Sequence, residues 1–412
     1  MAAESDVAGQ PPADGRHAET ASRLPLIGAL VAATAVSALA MTMFVPSIPS
    51  LAGHFDVPEA TMQLGLSLFL ATTAVAQFVS GPLSDLYGRR PVLVVALSLF
   101  CVGTAACLLA PSVSWFLIGR VLQGTGAAGM VLSRTILRDL YDRDRAASMI
   151  GYTVMAMAVA PMLGPWIGGV LDERVGWQGT FWVLAAFGLA TLMLVVRRLP
   201  ETNAALGRPL GAQREAYRSL LSSREFWLFA ATGSAASAVF FGFLGGAAQV
   251  AAGALDMSPS AYGAWFAFCA AGYLLGNFLS GRFAERVGLG TMILAGATIG
   301  LVGPVAILVS ALAGWLHPFA VFGWVALVGI GNGMVLPSNI AAAVSVRPDA
   351  AGAASGLVGT LQTLTGAIAS ALAAWMVGGG GSVTPLAVTL LSFAVPAVLL
   401  AAGSRRAISR SG

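Results

Sequence analysis

Charged side chains are scarce in this chain, so the few that stand between its apolar stretches mark where chemistry can occur. Gly81-Pro82-Leu83-Ser84-Asp85-Leu86-Tyr87-Gly88-Arg89-Arg90-Pro91 is a short charged turn between two long apolar runs. Asp85 stands midway between Gly81 and Arg89. It is placed to cap or approach a neighbouring helix end, where partial backbone charges favour ionised groups. The plainer alternative is a solvated loop acid anchored by Arg89 and Arg90. Gly81 and Gly88 read as close-packing or positive-φ positions. The skeleton returns 200 positions later as Ser280-Gly281-Arg282-Phe283-Ala284-Glu285-Arg286-Val287-Gly288, with Gly281, Glu285 and Gly288 in register. A duplicated, glycine-bounded turn between membrane segments reads as a transporter built of two similar halves.

Other reactive or polar groups sit inside the apolar runs. Arg120 lies a little more than one helical turn beyond Trp115. An arginine in hydrocarbon is costly and faces a cavity or a partner, unless it snorkels to the surface. Arg134, Arg138 and Asp139 end the same run, either as a gate or as interfacial anchors. Gly164, Pro165, Gly168 and Gly169 permit a kink and close contact with another helix, or serve simple packing. Asn277, Asn332, Asn339, Gln249 and Gln362 are amides that join helices or line a cavity. Tyr273, Phe240, Phe241 and Met155 offer a greasy, adaptable wall, with ordinary packing as the alternative. None of the 18 acids falls mid-membrane. A neutral, zwitterionic or weakly anionic amphipathic ligand therefore fits better than a fixed cation.

The elements that carry these residues follow from composition. The chain is 412 residues long, 57% hydrophobic and 10% charged, where soluble domains carry about 25% charged residues. The apolar stretches are long and lack ten-residue alternation, which predicts an all-α membrane protein rather than a barrel. Twelve spans are expected, near 25–47, 60–80, 91–110, 115–137, 147–170, 178–197, 226–247, 260–281, 290–312, 318–343, 353–376 and 384–402. This divides the chain into a disordered cytoplasmic tail (1–24), a six-helix half (25–197), a cytoplasmic linker (198–225), a second six-helix half (226–402) and a cytoplasmic C-terminal tail (403–412). All 22 basic residues are arginine. Those in loops crowd one side, with Arg174 alone on the other, which puts both termini in the cytoplasm. The arginines do not form one face, which argues against nucleic acid. Cys101, Cys107 and Cys269 lie in apolar runs and suggest neither disulfides nor a metal site. No cofactor is implied, and a chain without lysine has no G-x-x-x-x-G-K-[ST] loop.

Several motifs resemble the major facilitator superfamily. The first turn is similar to its loop motif between spans two and three. Arg120-Val121-Leu122-Gln123-Gly124-Thr125-Gly126-Ala127-Ala128 matches its fourth span. Ala160-Pro161-Met162-Leu163-Gly164-Pro165-Trp166-Ile167-Gly168-Gly169 resembles the fifth-span motif of drug antiporters. Arg134-Thr135-Ile136-Leu137-Arg138-Asp139-Leu140 and Val45-Pro46-Ser47-Ile48-Pro49 resemble the Bcr/CflA drug-resistance subfamily. The resemblance covers nearly the whole chain. It implies two pseudo-symmetric six-helix halves around a central cavity in a bacterial inner membrane, acting as a monomer. It implies a gating network at Gly81, Asp85, Gly88, Arg89, Arg90, Gly281, Glu285 and Gly288, and a proton relay through Arg120, Asp85 and Asp139. Gly164, Pro165, Gly168 and Gly169 become the antiport helix. Thr42, Met155, Phe240, Phe241, Tyr273, Asn332 and Gln362 become candidate cavity residues. Two positions depart from the pattern: Thr42 stands where the subfamily often carries an acid, and Gln178 follows Trp177 where arginine is usual.

The function implied is export of drugs or small amphipathic compounds, amphenicol-like antibiotics among them, by proton antiport. An exporter or facilitator of a sugar or endogenous metabolite is the alternative. A polytopic enzyme would place a His, acid or Cys cluster at one membrane depth, and none occurs. A sensor would need a soluble domain outside the spans.

Overall fold

A computed structural model describes residues 13–141, 149, 163–203, 211–347, 350–378 and 381–411, and among them every regular element is helical. The first half comprises α1 (Ala13–Thr42), α2 (Ile48–Phe55), α3 (Glu59–Tyr87), α4 (Arg89–Leu108), α5 (Val113–Gly124), α6 (Ala128–Leu140), α7 (163–175) and α8 (Trp177–Arg198). A linker helix α9 (Gly211–Leu221) leads to α10 (Arg224–Gly253), α11 (Pro259–Val287), α12 (Leu289–Leu312), α13 (Trp324–Ser345), α14 (Ala351–Val377) and α15 (Val383–Ser411). Ten of these helical stretches are long and apolar enough to cross a membrane. The fourth expected span is α5 plus α6, broken by a 3-10 turn at Thr125–Ala127. The fifth is described from residue 163 onward as α7. The fold is thus the expected twelve-helix membrane bundle.

The 200-residue echo extends well beyond the charged turn. α3 and α11 are each 29 residues long and begin and end 200 positions apart. At their opposite ends, Asp56 and Asp256 adopt positive φ, 50° and 48°. Aspartate tolerates this left-handed conformation better than most residues. Each precedes a helix that starts three residues later at Glu59 or Pro259. Packing repeats as well: α4 packs on α5 and α8 in the first half, as α12 packs on α13 and α15 in the second. Glycines set these crossings. A Cβ at Gly103 would lie 2.6 Å from the Gly119 carbonyl, and one at Gly331 would lie 2.6 Å from the Gly296 carbonyl. Small residues let membrane helices touch backbone to backbone, which replaces the hydrophobic drive that lipid cannot supply.

The halves meet along α3 with α14 and along α7 with α11. In the first half a buried aromatic cluster of Phe44, Phe116, Phe181 and Trp177 holds α1, α5 and α8 together, with ring centroids 5.4–6.5 Å apart. Below, "inner" denotes the end bearing the charged turns, following the arginine asymmetry.

Candidate functional site

The charged turn sits where α3 ends and α4 begins. Gly88 is the junction: φ of 101° stops α3 and restarts the chain as α4. The Asp85 carboxylate and Arg89 form an ion pair. The Arg89 Nη1 also donates to Ser84 Oγ at 2.6 Å, and its Nε donates to Asp139 of α6 at 3.3 Å. Arg89 therefore ties α3, α4 and α6 at one point.

Glu201, in the linker, completes the assembly. Its carboxylate accepts the backbone N–H groups of Arg89 at 2.9 Å and Arg90 at 3.1 Å, capping the positive end of α4. It also accepts from the amides of Thr202 and Asn203. Burial works against its charge, but these four N–H groups outweigh it and hold the carboxyl below its usual range. Asn203 Nδ2 donates to the carbonyls of Ser84 and Asp85, the last turn of α3. A Cβ at Gly88 would lie 2.4 Å from Glu201 Oε2, so the glycine is needed for both its φ and its neighbour. Sequence reasoning passed over Glu201 and Asn203. The available signal was an acid three residues after Arg198, in an arginine-rich run.

The second turn shares the backbone but not the clasp. Gly288 has φ of 81°, yet a Cβ there or at Gly281 would meet nothing within 4 Å. Glu285 has no ion pair among the described residues. Gly81 likewise faces open space.

Arg120 does not snorkel. It is fully buried on α5. Its Nη1 donates to Gln123 Oε1 at 2.5 Å and the Ala40 carbonyl at 3.2 Å, and its Nε to the Gly65 carbonyl at 3.3 Å. The guanidinium lies over Phe44 at 4.3 Å and Phe69 at 4.5 Å, attracted by the ring faces. Gln123 in turn donates to Thr104 Oγ1. No carboxylate pairs with Arg120 among the described residues, and its Nη2 has no partner. Arg134, one span segment further on α6, lies within electrostatic reach of Tyr273 on α11, across the halves.

The glycine motif of α7 presses against two helices. A Cβ at Gly164 would lie 2.1 Å from Thr42 Oγ1, and one at Gly168 would lie 2.1 Å from the Met43 carbonyl. Gly169 faces α11: its Cβ would sit 2.2 Å from the Pro259 carbonyl, and a Cβ at Gly263 would sit 2.4 Å from the Pro165 carbonyl. Above this seam Glu173 accepts the Ser260 backbone N–H at 2.9 Å. That bond, with the Ser258 and Ser260 hydroxyls, keeps its carboxyl below the usual range. Asp172, beside it, accepts from Ser50 Oγ at 2.7 Å, and burial raises its carboxyl despite that bond. Thr42 is fully buried, with its hydroxyl on the Ala38 carbonyl at 2.9 Å.

Of the remaining cavity candidates, Phe240 and Phe241 stack edge-on at 5.3 Å on α10. Asn332 on α13 donates to Val328 and leaves its Oδ1 without a partner. It faces a small apolar hollow lined by Gly296, Gly300 and Gly331. Gln362 lies apart from it, against Gly233 of α10. Met155 lies outside the described residues.

The arrangement is two halves meeting backbone to backbone at one end, with an ionic clasp inside the first half and its linker at the other. The family model for the Major Facilitator Superfamily matches residues 30–370. Multidrug resistance protein D of Escherichia coli is 28% identical over 384 residues, covering 89% of this chain and 92% of that protein. The bicyclomycin resistance protein homolog of Haemophilus influenzae is 29% identical over 349 residues, covering 81% and 85%. A solved bacterial homolog of the human lysosomal transporter Spinster, inward-facing and unoccupied, superposes with a TM-score of 0.76 at 17% identity over 94% of this chain and 97% of its own. The protein is a multi-pass membrane transporter rather than an enzyme; the chain belongs to the major facilitator superfamily, and these relatives bear out its Bcr/CflA-type resemblance.

Proposed function

We propose that this protein exports drugs or small amphipathic compounds across the bacterial inner membrane by alternating access, driven by proton antiport. The observation that carries the reading is the unequal closure of the two ends. The outer seam of α7 and α11 is made of backbone contacts at Gly169 and Gly263. Among the described residues, the inner ionic clasp of Asp85, Arg89, Asp139 and Glu201 joins elements of the first half and its linker. Halves joined in this way part at the inner end and can rock as bodies over 25–197 and 226–402, with 198–225 between them. The names of the two bacterial relatives supply the drug class. Both termini lie in the cytoplasm, and the chain acts as a monomer.

Protons enter this scheme through carboxylates near the two surfaces. Asp172 shares α7 with the glycine motif and, like Glu59 at the outer start of α3, is an outer acid whose carboxyl burial raises toward taking up a proton. Asp85 and Asp139, bound to Arg89, are the inner acids that a proton would release. Everted vesicles test the reading. Chloramphenicol uptake should accelerate when the vesicle lumen is made acid, and should lose that acceleration in Asp172→Asn. Uptake indifferent to the gradient would leave an uncoupled exporter, and no resistance in a susceptibility panel would favour a metabolite.

A further inference from the structure

Two buried amides in the second half converge on one spot without hydrogen-bond partners. Asn339 on α13 is fully buried, and neither its Nδ2 nor its Oδ1 makes a hydrogen bond. Gln362 on α14 is 8% exposed, and its Nε2 is bare. Both meet at Gly233 of α10, where a Cβ would lie 2.4 Å from Asn339 Nδ2 and 2.6 Å from Gln362 Nε2. The hydroxyl of Ser234, next along α10, is also buried without a partner.

A membrane interior has no water to make good such groups. Amides that serve as helix glue are found bonded to a neighbouring helix, and these are not. Whichever way its plane is turned, each amide offers one donor edge and one acceptor edge. None of the groups meeting at Gly233 carries a charge. They match an uncharged ligand with both acceptor and donor atoms, such as an amide or a hydroxyl beside a carbonyl.

The surroundings give that ligand its apolar part and its way in. Phe241, about 12 Å further along α10 at 1.5 Å per residue, rests on Gly366 of α14, one turn from Gln362. Phe240 stands against it. Thr363, next to Gln362, reaches Gln77 of α3 at 3.5 Å across the two halves. The amides lie just behind the seam that parts when the halves move.

We propose that Asn339 and Gln362, over Gly233, form the polar end of a subsite for an uncharged amphipathic compound, with Phe240 and Phe241 as its apolar wall. The proposal rests on the export reading above.

The test uses the full-length protein in everted vesicles, with neutral chloramphenicol and cationic tetraphenylphosphonium as probes, and the variants Asn339→Leu, Gln362→Leu and Gly233→Ala. Each variant should lower the ratio of chloramphenicol to tetraphenylphosphonium uptake by about tenfold, chiefly through KM. The thermal midpoint of purified Asn339→Leu should hold or rise, because leucine removes a bare buried amide. An unchanged ratio in all three variants overturns the subsite, and so does a lowered midpoint in Asn339→Leu, which would mark the amides as structural. Transport of tetraphenylphosphonium but never chloramphenicol also overturns it while export stands. Transport of neither probe brings down the export reading and the subsite together.

Discussion

Arg120 and Gly88 make opposite demands on their surroundings. Arg120 brings a full charge into the bundle and meets it with two carbonyls, an amide oxygen and two aromatic faces. Arg120→Lys keeps the charge but loses the planar fork and the stacking. Transport should fall about tenfold or more, with the thermal midpoint lowered as Gln123 Oε1 and the Gly65 and Ala40 carbonyls lose charge-assisted bonds, each worth about 1.5–3 kcal/mol. Wild-type rates in that variant would remove Arg120 from the mechanism. Gly88 accepts what no other residue can. With φ of 101° and 81°, Gly88 and Gly288 both penalise a Cβ by about 1–3 kcal/mol. Only Gly88 also has Glu201 2.4 Å from that Cβ. Gly88→Ala should therefore destabilise the purified protein more than Gly288→Ala, by a difference visible in paired thermal melts. Spacing offered Asp85 either as a helix-end acid or as a loop acid anchored by Arg89, and the structure pairs it with Arg89; a gating role came from the family resemblance. Glu201 was not legible, because capping of α4 by a residue more than a hundred positions away is a tertiary fact, and sequence distance hides it.

Element by element, the spans were readable because lipid demands long apolar helices. What could not be read was where helices bend. Nothing in Gln123-Gly124-Thr125-Gly126-Ala127 announces a 3-10 turn in a span, since glycine is common in membrane helices for packing alone. The α7 glycines were legible as close-contact positions, yet the sequence does not say which helices they touch. The structure assigns Gly164 and Gly168 to the α1 end and Gly169 to α11. This gives a prediction for the seam. Gly169→Leu should force α7 from Pro259 and leave the outer end ajar. A cysteine placed at Ser260 would then react faster with an impermeant maleimide added from outside. Equal labelling rates with and without the leucine would refute a sealed outer contact at Gly169.

For the whole molecule, duplication is deep in backbone and shallow in charge. The lengths of α3 and α11 and the left-handed Asp56 and Asp256 recur at 200 residues, and the helix crossings recur in kind. The ionic clasp does not: it is built in the first half from Asp85, Arg89, Asp139 and Glu201. Asp85→Asn should consequently cut transport at least several-fold, whereas Glu285→Gln should leave it near wild type. Comparable losses in the two, read from vesicle uptake rates at matched expression, would show that the second turn acts as an equal partner.

The 3-10 turn at Thr125–Ala127 changes the pitch of the fourth span locally. It falls between the fully buried Arg120 and the inner Asp139, so the span works as a knee: its upper shank is wedged among aromatic rings while its lower shank carries the acid that grips Arg89. The corresponding span of the second half, α13, runs from Trp324 to Ser345 with Pro337 inside it, and a π-helical turn at Phe319–Gly323 leads into it. Each of these spans carries an irregular turn at its own depth, and only in the first half does that turn lead into the acid that grips Arg89, so strain arriving there would loosen that grip.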